Sequence, residues 1–433
     1  MDSSVTASQH QQPQLPGSSA VEVGEGSAAW VRAEQVARTS YGRLVALLAE
    51  STGDLEMAED CLADAFARAL RVWPRDGVPQ KPEAWLLTVA RNRGRDLFRS
   101  APVRSSVPLD PEAVEGISPA LEPIDPEAIP DRRLALLFVC AHPAIDPGIR
   151  APLMLQTVLG FEAREIARAF VLPPATMAQR LVRAKRRIRD ARIPFVLPER
   201  SQMAGRLTVV LEAVYGAYSI DWDGISGRLP RAGMAAEAHY LAVTLAHLLE
   251  QEPEAWGLAA LISLSRARAP ARLDGSAFVP LEDQDPARWD LDLVGEGERY
   301  LRRAARFGRI GRFQLEAAIQ SVHCARATSG ETDWNALGRL YSGLLAVAPT
   351  LGARVAYATT VARLKGAAAG LEALDGIEDP RIDRFQPAWA ARAHLLAEAG
   401  RLEEARRAYD RAIRLTVDPA VRHYLERRRE EAA

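Results

Sequence analysis

The stretch GFEAREIARAFVLPPATMAQRLVRAKRRIRD, residues 160–190, decides the fold of the middle of this chain. Residues 160–170 have the apolar spacing of a short amphipathic helix, and residues 171–173 form a turn. Pro174 stands where proline favours a helix start, because its missing N–H costs nothing in the first turn. The pattern therefore predicts a helix-turn-helix whose second helix runs to about Asp190. Its packing side is predicted to hold Met177, Leu181, Ala184 and Ile188.

The other faces of this second helix are strongly basic, with Asp190 as the single acid among them. A basic helix can enter the major groove of DNA, its first turns reading base edges and its later arginines reaching phosphates. The alternative is a solvated basic helix on the surface of a bundle. The short turn and the apolar pattern across both helices favour DNA binding. The predicted DNA contacts are Thr176, Gln179, Arg180, Arg183, Lys185, Arg186 and Arg187.

Two further amphipathic helices are predicted upstream. One carries apolar residues at helical spacing from Leu55 to Trp73, and it is predicted to end at Pro74 and the turn that follows. The other begins near Pro82, with Trp85 expected in the core rather than as a stacking platform. Its exposed side is predicted to carry Arg91, Asn92, Arg95 and Arg99.

The composition then changes abruptly. From residue 105 to residue 131 there is no Lys or Arg, several acids occur, and prolines break any helix. This composition predicts an extended acidic linker over residues 102–130. Helical periodicity returns at Arg133 and continues, with interruptions, to the C-terminus. No β-alternation is evident, so the predicted fold class is all-α.

The whole chain has the composition of a globular protein: 433 residues, 48% hydrophobic, 26% charged, with a net charge of −1. Its length predicts two or three domains. No run of about 18 apolar residues suggests a membrane span, and residues 1–27 resemble a disordered tail rather than a signal peptide. With three widely spaced cysteines and no disulfide framework, a cytoplasmic protein is expected.

The motifs together resemble the extracytoplasmic-function (ECF) sigma factors of bacterial RNA polymerase. Residues 53–70 and 82–99 are similar to sigma region 2, and residues 160–167 and 176–184 are similar to region 4. Residues 281–290 and 313–319 resemble one ECF group that carries a long C-terminal extension of tetratricopeptide (TPR) character. The resemblance implies a tail at 1–27, a region 2 segment at 28–101, the linker, a region 4 segment at 131–192 and an extension at 193–433.

This resemblance also implies partners and roles. Region 2 would bind the β′ clamp helices of core RNA polymerase, with Asp60 and Asp64 at the polymerase-facing positions, and region 4 would bind the β flap. Promoter DNA would be contacted at its −10 element by Arg91, Asn92, Arg95 and Arg99 and at its −35 element by the helix-turn-helix. The linker would thread the polymerase cleft, although a mere spacer is an equal alternative. No cofactor is implied, and the extension is predicted to regulate activity in place of a separate anti-sigma factor.

Within the extension, residues 389–412 have the spacing of a TPR helix pair, and residues 336–348 and 353–374 fit that pattern more loosely. Such repeats make binding surfaces and rarely perform chemistry.

Two other functional classes compete with a sigma factor. The first is an ordinary helix-turn-helix regulator with a TPR sensor domain. The second is an enzyme that uses a carboxylate cluster, although no nucleophile–base pair or phosphate-binding glycine loop accompanies that cluster. The sequence therefore favours a non-enzymatic protein without a metal. The candidate ligands set aside as structural are Glu282, Asp283, Asp285, Asp290, Cys140, His142, His323 and Cys324.

Overall fold

A computed structural model describes residues 20–100, 130–170, 172–222 and 233–432. The predicted acidic linker lies outside these residues except for Pro130, and so do residues 1–19 of the predicted tail. Within the described ranges the chain is built almost entirely of helices, which confirms the all-α prediction. No helix among these residues combines the length and apolar character needed to cross a bilayer.

The region 2 segment contains three helices: α1 (Ala20–Thr52), α2 (Leu55–Asp76) and α3 (Pro82–Ser100). Helix α1 starts inside the segment predicted to be a tail, so residues 20–27 correct that boundary. Asp54 caps α2 by accepting hydrogen bonds from the backbone N–H groups of Glu56 and Met57, which fixes where the helix begins. Helix α2 continues past Pro74 and ends at Asp76, within the turn predicted to stop it.

Trp73 of α2 and Trp85 of α3 contact each other edge to face, with ring centroids 5.6 Å apart. Such a pair adds about 0.5–1.5 kcal/mol to the free energy of burial. Trp85 packs against the hydrophobic core, which agrees with its predicted structural role.

The region 4 segment contains four helices: α4 (Pro130–Cys140), α5 (Pro147–Thr157), α6 (Ala163–Ala169) and α7 (Pro174–Asp190). Glu162 and Glu165 form a capping box that begins α6. Helix α7 starts at Pro174, as predicted from the sequence. Its predicted packing residues are buried, which confirms the apolar face: Met177, Leu181, Ala184 and Ile188.

The first part of the extension consists of α8 (Arg200–Trp222), α9 (Met234–Leu248), α10 (Pro253–Ala267), α11 (Leu291–Ala305) and α12 (Arg312–Cys324). Helix α10 is buried along almost its whole length between its neighbours. Gly257 allows α12 to approach closely, because a Cβ there would lie 2.7 Å from the backbone nitrogen of Gln314.

Between α10 and α11 a short antiparallel hairpin forms from β1 (Leu273–Asp274) and β2 (Ala277–Phe278). The carboxylates considered as a metal cluster follow it. Asp285 caps a single 3₁₀ turn, Asp290 caps α11, and Glu282 pairs with Arg363. Within the described ranges, no group of three or more His, Cys, Asp or Glu side chains is placed to hold a metal ion.

The second part of the extension comprises α13 (Arg326–Ser329), α14 (Trp334–Val347), α15 (Leu351–Lys365), α16 (Ala367–Asp375), α17 (Gln386–Glu398), α18 (Leu402–Leu415) and α19 (Pro419–Glu431). The predicted helix over 353–374 is broken at Gly366, whose φ of 93° lies in the region that favours glycine. The predicted TPR-like pair at 389–412 corresponds to α17 and α18, which pack together.

The boundaries between the hydrophobic clusters do not coincide with the boundaries between the sequence segments. One continuous apolar cluster runs from α1 through the region 4 helices to Ala317 of α12. A second cluster, within residues 351–432, belongs to α15–α19. The extension therefore begins as an integral part of the core that holds region 4.

Candidate nucleic-acid interface

Helix α7 presents the predicted base-reading side chains to solvent in its first turns. Thr176 and Gln179 are exposed, and so is Arg183, whose Nε donates to the Gln179 carbonyl oxygen at 3.4 Å. Arg180 is half-buried, with its guanidinium beside Gly148 at the start of α5. Arg187 is exposed, and its Nε donates to the Ala144 carbonyl oxygen at 3.3 Å. The start of α7 and Arg187 are therefore exposed to solvent.

The last turns of α7 are partly covered by region 2. Lys185 was predicted to contact DNA, but its side chain is 8% exposed and its Nζ lies 2.5 Å from Oε2 of Glu59 on α2. The sequence pattern could not reveal this, because the two residues are 126 positions apart. The expected position of Lys185 on a free basic face is therefore corrected: in this structure it faces region 2.

Two neighbouring arginines extend the contact between α7 and α2. Arg189 lies 3.2 Å from a carboxylate oxygen of Glu56 and 3.4 Å from one of Asp54. Arg186 Nε lies 3.6 Å from Glu56 but remains mostly exposed. These outer pairs are partly solvated and contribute little each, since exposed ion pairs give about 0–1 kcal/mol.

Glu59 is the ionisable group with the least favourable environment in this contact. Burial raises the pKa of its carboxyl, although Lys185 opposes that rise. Its second oxygen, Oε1, is buried and accepts no hydrogen bond from any described residue. A carboxylate that is removed from water and only half satisfied stabilises the fold weakly.

Helix α3 carries the residues predicted for the −10 element. Asn92 and Arg95 are exposed, while Arg91 is half-buried. Burial lowers the pKa of Arg91, and the nearby cations Arg132 and Arg95 lower it further. The side chain of Arg99 lies outside the described part of the structure. Arg132 comes from α4, so the fold adds a region 4 cation to this basic surface, which spacing along α3 could not indicate.

The predicted polymerase-facing carboxylates lie on α2, on the side turned to solvent. Asp60 and Asp64 are both exposed, and Asp64 accepts a hydrogen bond from Arg93 at 2.7 Å. Their accessibility leaves room for a protein partner on this part of α2.

A close backbone approach also joins the two segments. A Cβ at Gly42 of α1 would lie 1.9 Å from the carbonyl oxygen of Val158, which follows α5. Helices α1 and α4 contact each other as well, and Arg132 forms an ion pair with Glu50. Region 2 and region 4 are therefore packed together and not merely tethered.

Region 4 is held on its other side by the extension. Helix α8 packs against α4 and α5, and Arg206 donates to the Phe138 carbonyl oxygen at 3.2 Å. Arg133 of α4, with a side chain only 6% exposed, forms an ion pair with Glu237 of α9. The extension therefore packs against the helices that support the helix-turn-helix.

The Sigma-70 region 2 family matches residues 36–102, which comprise the second half of α1 together with α2 and α3. A probable ECF RNA polymerase sigma factor, SigI of Mycobacterium tuberculosis, is 30% identical over 171 residues, covering 39% of this chain and 55% of SigI. The chain is a sigma factor of the ECF-like group. An uncharacterised protein of Rhizobium meliloti (strain 1021) is 34% identical over 379 residues, 86% of this chain and 89% of that protein.

A family of unknown function, DUF6596, matches residues 206–305, from α8 through α11. No solved structure matches the chain. Membership among the sigma factors implies that this protein interacts with core RNA polymerase and with promoter DNA, and sigma factors are in general not enzymes. The DUF6596 match lies within the extension, outside the residues that the region 2 family describes.

Proposed function

We propose that this sigma factor directs promoter-specific initiation by reading the −10 element with α3 and the −35 element with α7. Region 2 would contact the β′ clamp helices through Asp60 and Asp64, and region 4 would contact the β flap. The exposed start of α7, downstream of a region 2 domain, is the observation that carries the proposal: Thr176, Gln179 and Arg183 all face solvent.

Reading both elements at once requires a large separation of the two segments. The elements are about 25 base pairs apart, which at about 3.4 Å per base pair corresponds to roughly 85 Å. Helices α2 and α7 are joined by an ion pair of 2.5 Å. A domain pair in direct contact cannot span that length of DNA, so we infer that the described arrangement is a closed form.

The chain between the two segments is long enough for opening. Residues 101–129 join α3 to α4. An extended chain of that length reaches at most roughly 100 Å, at about 3.3–3.6 Å per residue. Opening would break the contacts of α7 with α2 and of α1 with α4, and polymerase binding would have to supply that free energy. It would also free Lys185 and Arg189 for DNA phosphates.

We propose that the extension regulates this step. Because α8 and α9 hold α4 and α5, the extension would move with region 4 and bias it toward the closed or the open form. A built-in device of this kind would make a separate anti-sigma factor unnecessary.

The decisive experiment is transcription with purified core RNA polymerase on a library of genomic promoters. We expect this protein alone to support initiation at a defined promoter class. A helix-turn-helix regulator would give no transcripts unless another sigma factor were present, and that result would overturn the proposal. A triple variant, Thr176→Ala, Gln179→Ala and Arg183→Ala, serves as the matched control: it should still bind core polymerase but lose promoter selection.

A further inference from the structure

A cavity of about 340 Å³ lies inside the extension, among α8, α10, α12, α14 and α15. Its volume is within the range of small-molecule sites, about 300–1,000 Å³. Gly352, which is exposed at the start of α15, is one of its lining residues. Three tyrosines contribute to its wall, and apolar side chains complete it: Tyr215, Tyr218, Tyr341, Leu261, Ile319 and Leu344.

Arg268 lines this cavity. Its side chain is buried, with the residue 7% exposed, and it forms no ion pair with any described residue. One guanidinium nitrogen donates to Gln320, whereas Nε is buried without a hydrogen-bond partner among the described residues. Arginine does not lose its proton in proteins, so a charge buried in this way is costly unless an anion accompanies it.

The other ionisable groups around Arg268 do not neutralise it. Arg312 and Glu316 form an ion pair at 2.8 Å, so their charges cancel. Burial raises the pKa of the Cys324 thiol next to Arg268 and raises the pKa of Tyr341 to about 12, so both stay neutral. Burial, helped by the cations Arg268 and Arg326, lowers the pKa of His323 to about 3, so that ring is neutral as well.

The lining of the cavity therefore carries a net charge of one positive unit, and aromatic and aliphatic side chains make up much of its wall. A carboxylate matches the planar guanidinium and can accept two hydrogen bonds from it. A phosphate ester would bring about two negative charges against one cation. Charge balance consequently favours a singly charged organic acid with an apolar body.

We propose that this cavity binds a small organic monocarboxylate, seated on Arg268 with its body against the tyrosines. The site also touches region 4 indirectly. Helix α8 supplies Tyr215 and Tyr218 to the cavity, and the same helix packs on α4 and α5. A ligand here would contact the helix that packs on α4 and α5, which support the helix-turn-helix. The binding proposal does not depend on sigma activity, whereas any effect of the ligand on transcription rests on the proposed function.

The test is calorimetric titration of the purified full-length protein, without polymerase or DNA. Acetate, butyrate, benzoate and 4-hydroxybenzoate serve as ligands, the amide of each acid is its neutral control, and inorganic phosphate is the dianion control. We expect at least one acid to bind tenfold or more tightly than its amide and than phosphate. Arg268→Gln should weaken that binding at least tenfold, and Arg354→Gln, on α15 but outside the cavity wall, should leave it unchanged.

A second variant guards against misfolding of Arg268→Gln. Ala356→Phe fills the cavity from α15 and keeps the arginine, so it should also abolish binding while circular dichroism stays unchanged. The proposal is overturned if no acid binds better than its amide, if phosphate binds best, or if Arg354→Gln weakens binding as much as the two cavity variants do. If the unmodified protein binds the acid but does not direct promoter-specific transcription, that result counts against the proposed function alone.

Discussion

Lys185 on α7 and Glu59 on α2 form a buried ion pair that joins the helix proposed to read the −35 element to the acidic face of region 2. Nζ of Lys185 lies 2.5 Å from Oε2 of Glu59, and neither side chain is more than 17% exposed. It accounts for two facts at once: a basic residue of α7 is withdrawn from solvent, and region 4 is held against region 2. The relationship leads directly to a test of the closed form.

Glu59→Lys should open the molecule, because it places two cations together in a buried contact. Removing one partner of a buried pair costs about 3–5 kcal/mol. The radius of gyration from small-angle X-ray scattering should rise in the free protein. The double variant Glu59→Lys with Lys185→Glu should restore compactness. Asp60→Lys makes the same charge change at an exposed neighbour and should have no effect; equal expansion in both single variants would contradict the pairing.

Gly42→Ala tests the same interface without changing any charge. The added Cβ would collide with the Val158 carbonyl oxygen, and overpacking of this kind costs about 1–3 kcal/mol. We expect a lower melting temperature and faster proteolysis between the two segments. Gly216→Ala on α8 is the control, since its Cβ would meet no described atom within 4 Å. The substitution at Gly216 should be neutral or stabilise the helix by up to about 1 kcal/mol. An equal drop in melting temperature in both variants would therefore rule out the close approach at Gly42.

Arg180→Ala and Arg187→Ala should differ in their effect on promoters. A base contact made by Arg180 would discriminate bases by about 1–3 kcal/mol, so its loss should weaken one promoter class. Loss of a phosphate contact from Arg187 should weaken binding evenly and reduce the salt slope by about one unit. Transcription with core polymerase at several salt concentrations measures both effects. Equal losses at every promoter for both variants would show that the proposed division along α7 is wrong.

His323 should make the extension sensitive to acid. Burial lowers its pKa in the folded protein to about 3, below the ordinary value of 6.5. Between these values the unfolded chain binds the proton and the folded chain does not, so stability is intact above pH 6.5 and falls as the pH drops toward 3. The loss is at most about 1.4 kcal/mol per pH unit.

Urea denaturation at pH 7.5 and pH 5 provides the measurement for His323. His323→Phe removes the titrating group and keeps a ring next to Trp334, so its stability should change less between the two pH values. His394→Phe is the comparison, because that histidine is partly exposed and paired with Glu398. If both variants show the pH dependence of the unmodified protein, burial of His323 is not its cause.

The sequence predicted local features well because they depend on neighbouring residues. The start of α7 at Pro174 and the buried stripe from Met177 to Ile188 follow from proline geometry and the 3.6-residue period. The structural role of Trp85 and the helix pair at 389–412 were predicted for the same reason. The break at Gly366 was missed, since a glycine inside an apolar helical pattern can be either tolerated or a stop.

What the sequence by itself determined is the helical architecture, the order of the motifs and the exposed start of α7. Only the tertiary structure decided which basic residues of α7 are free, because Glu59 and Lys185 meet through a fold that spans 126 residues. The same holds for Arg268, which forms no ion pair with any described residue because of the helices, distant in sequence, that surround it. Periodicity assigns a face to each side chain, but burial and the partner of a charge depend on which helices the fold packs together.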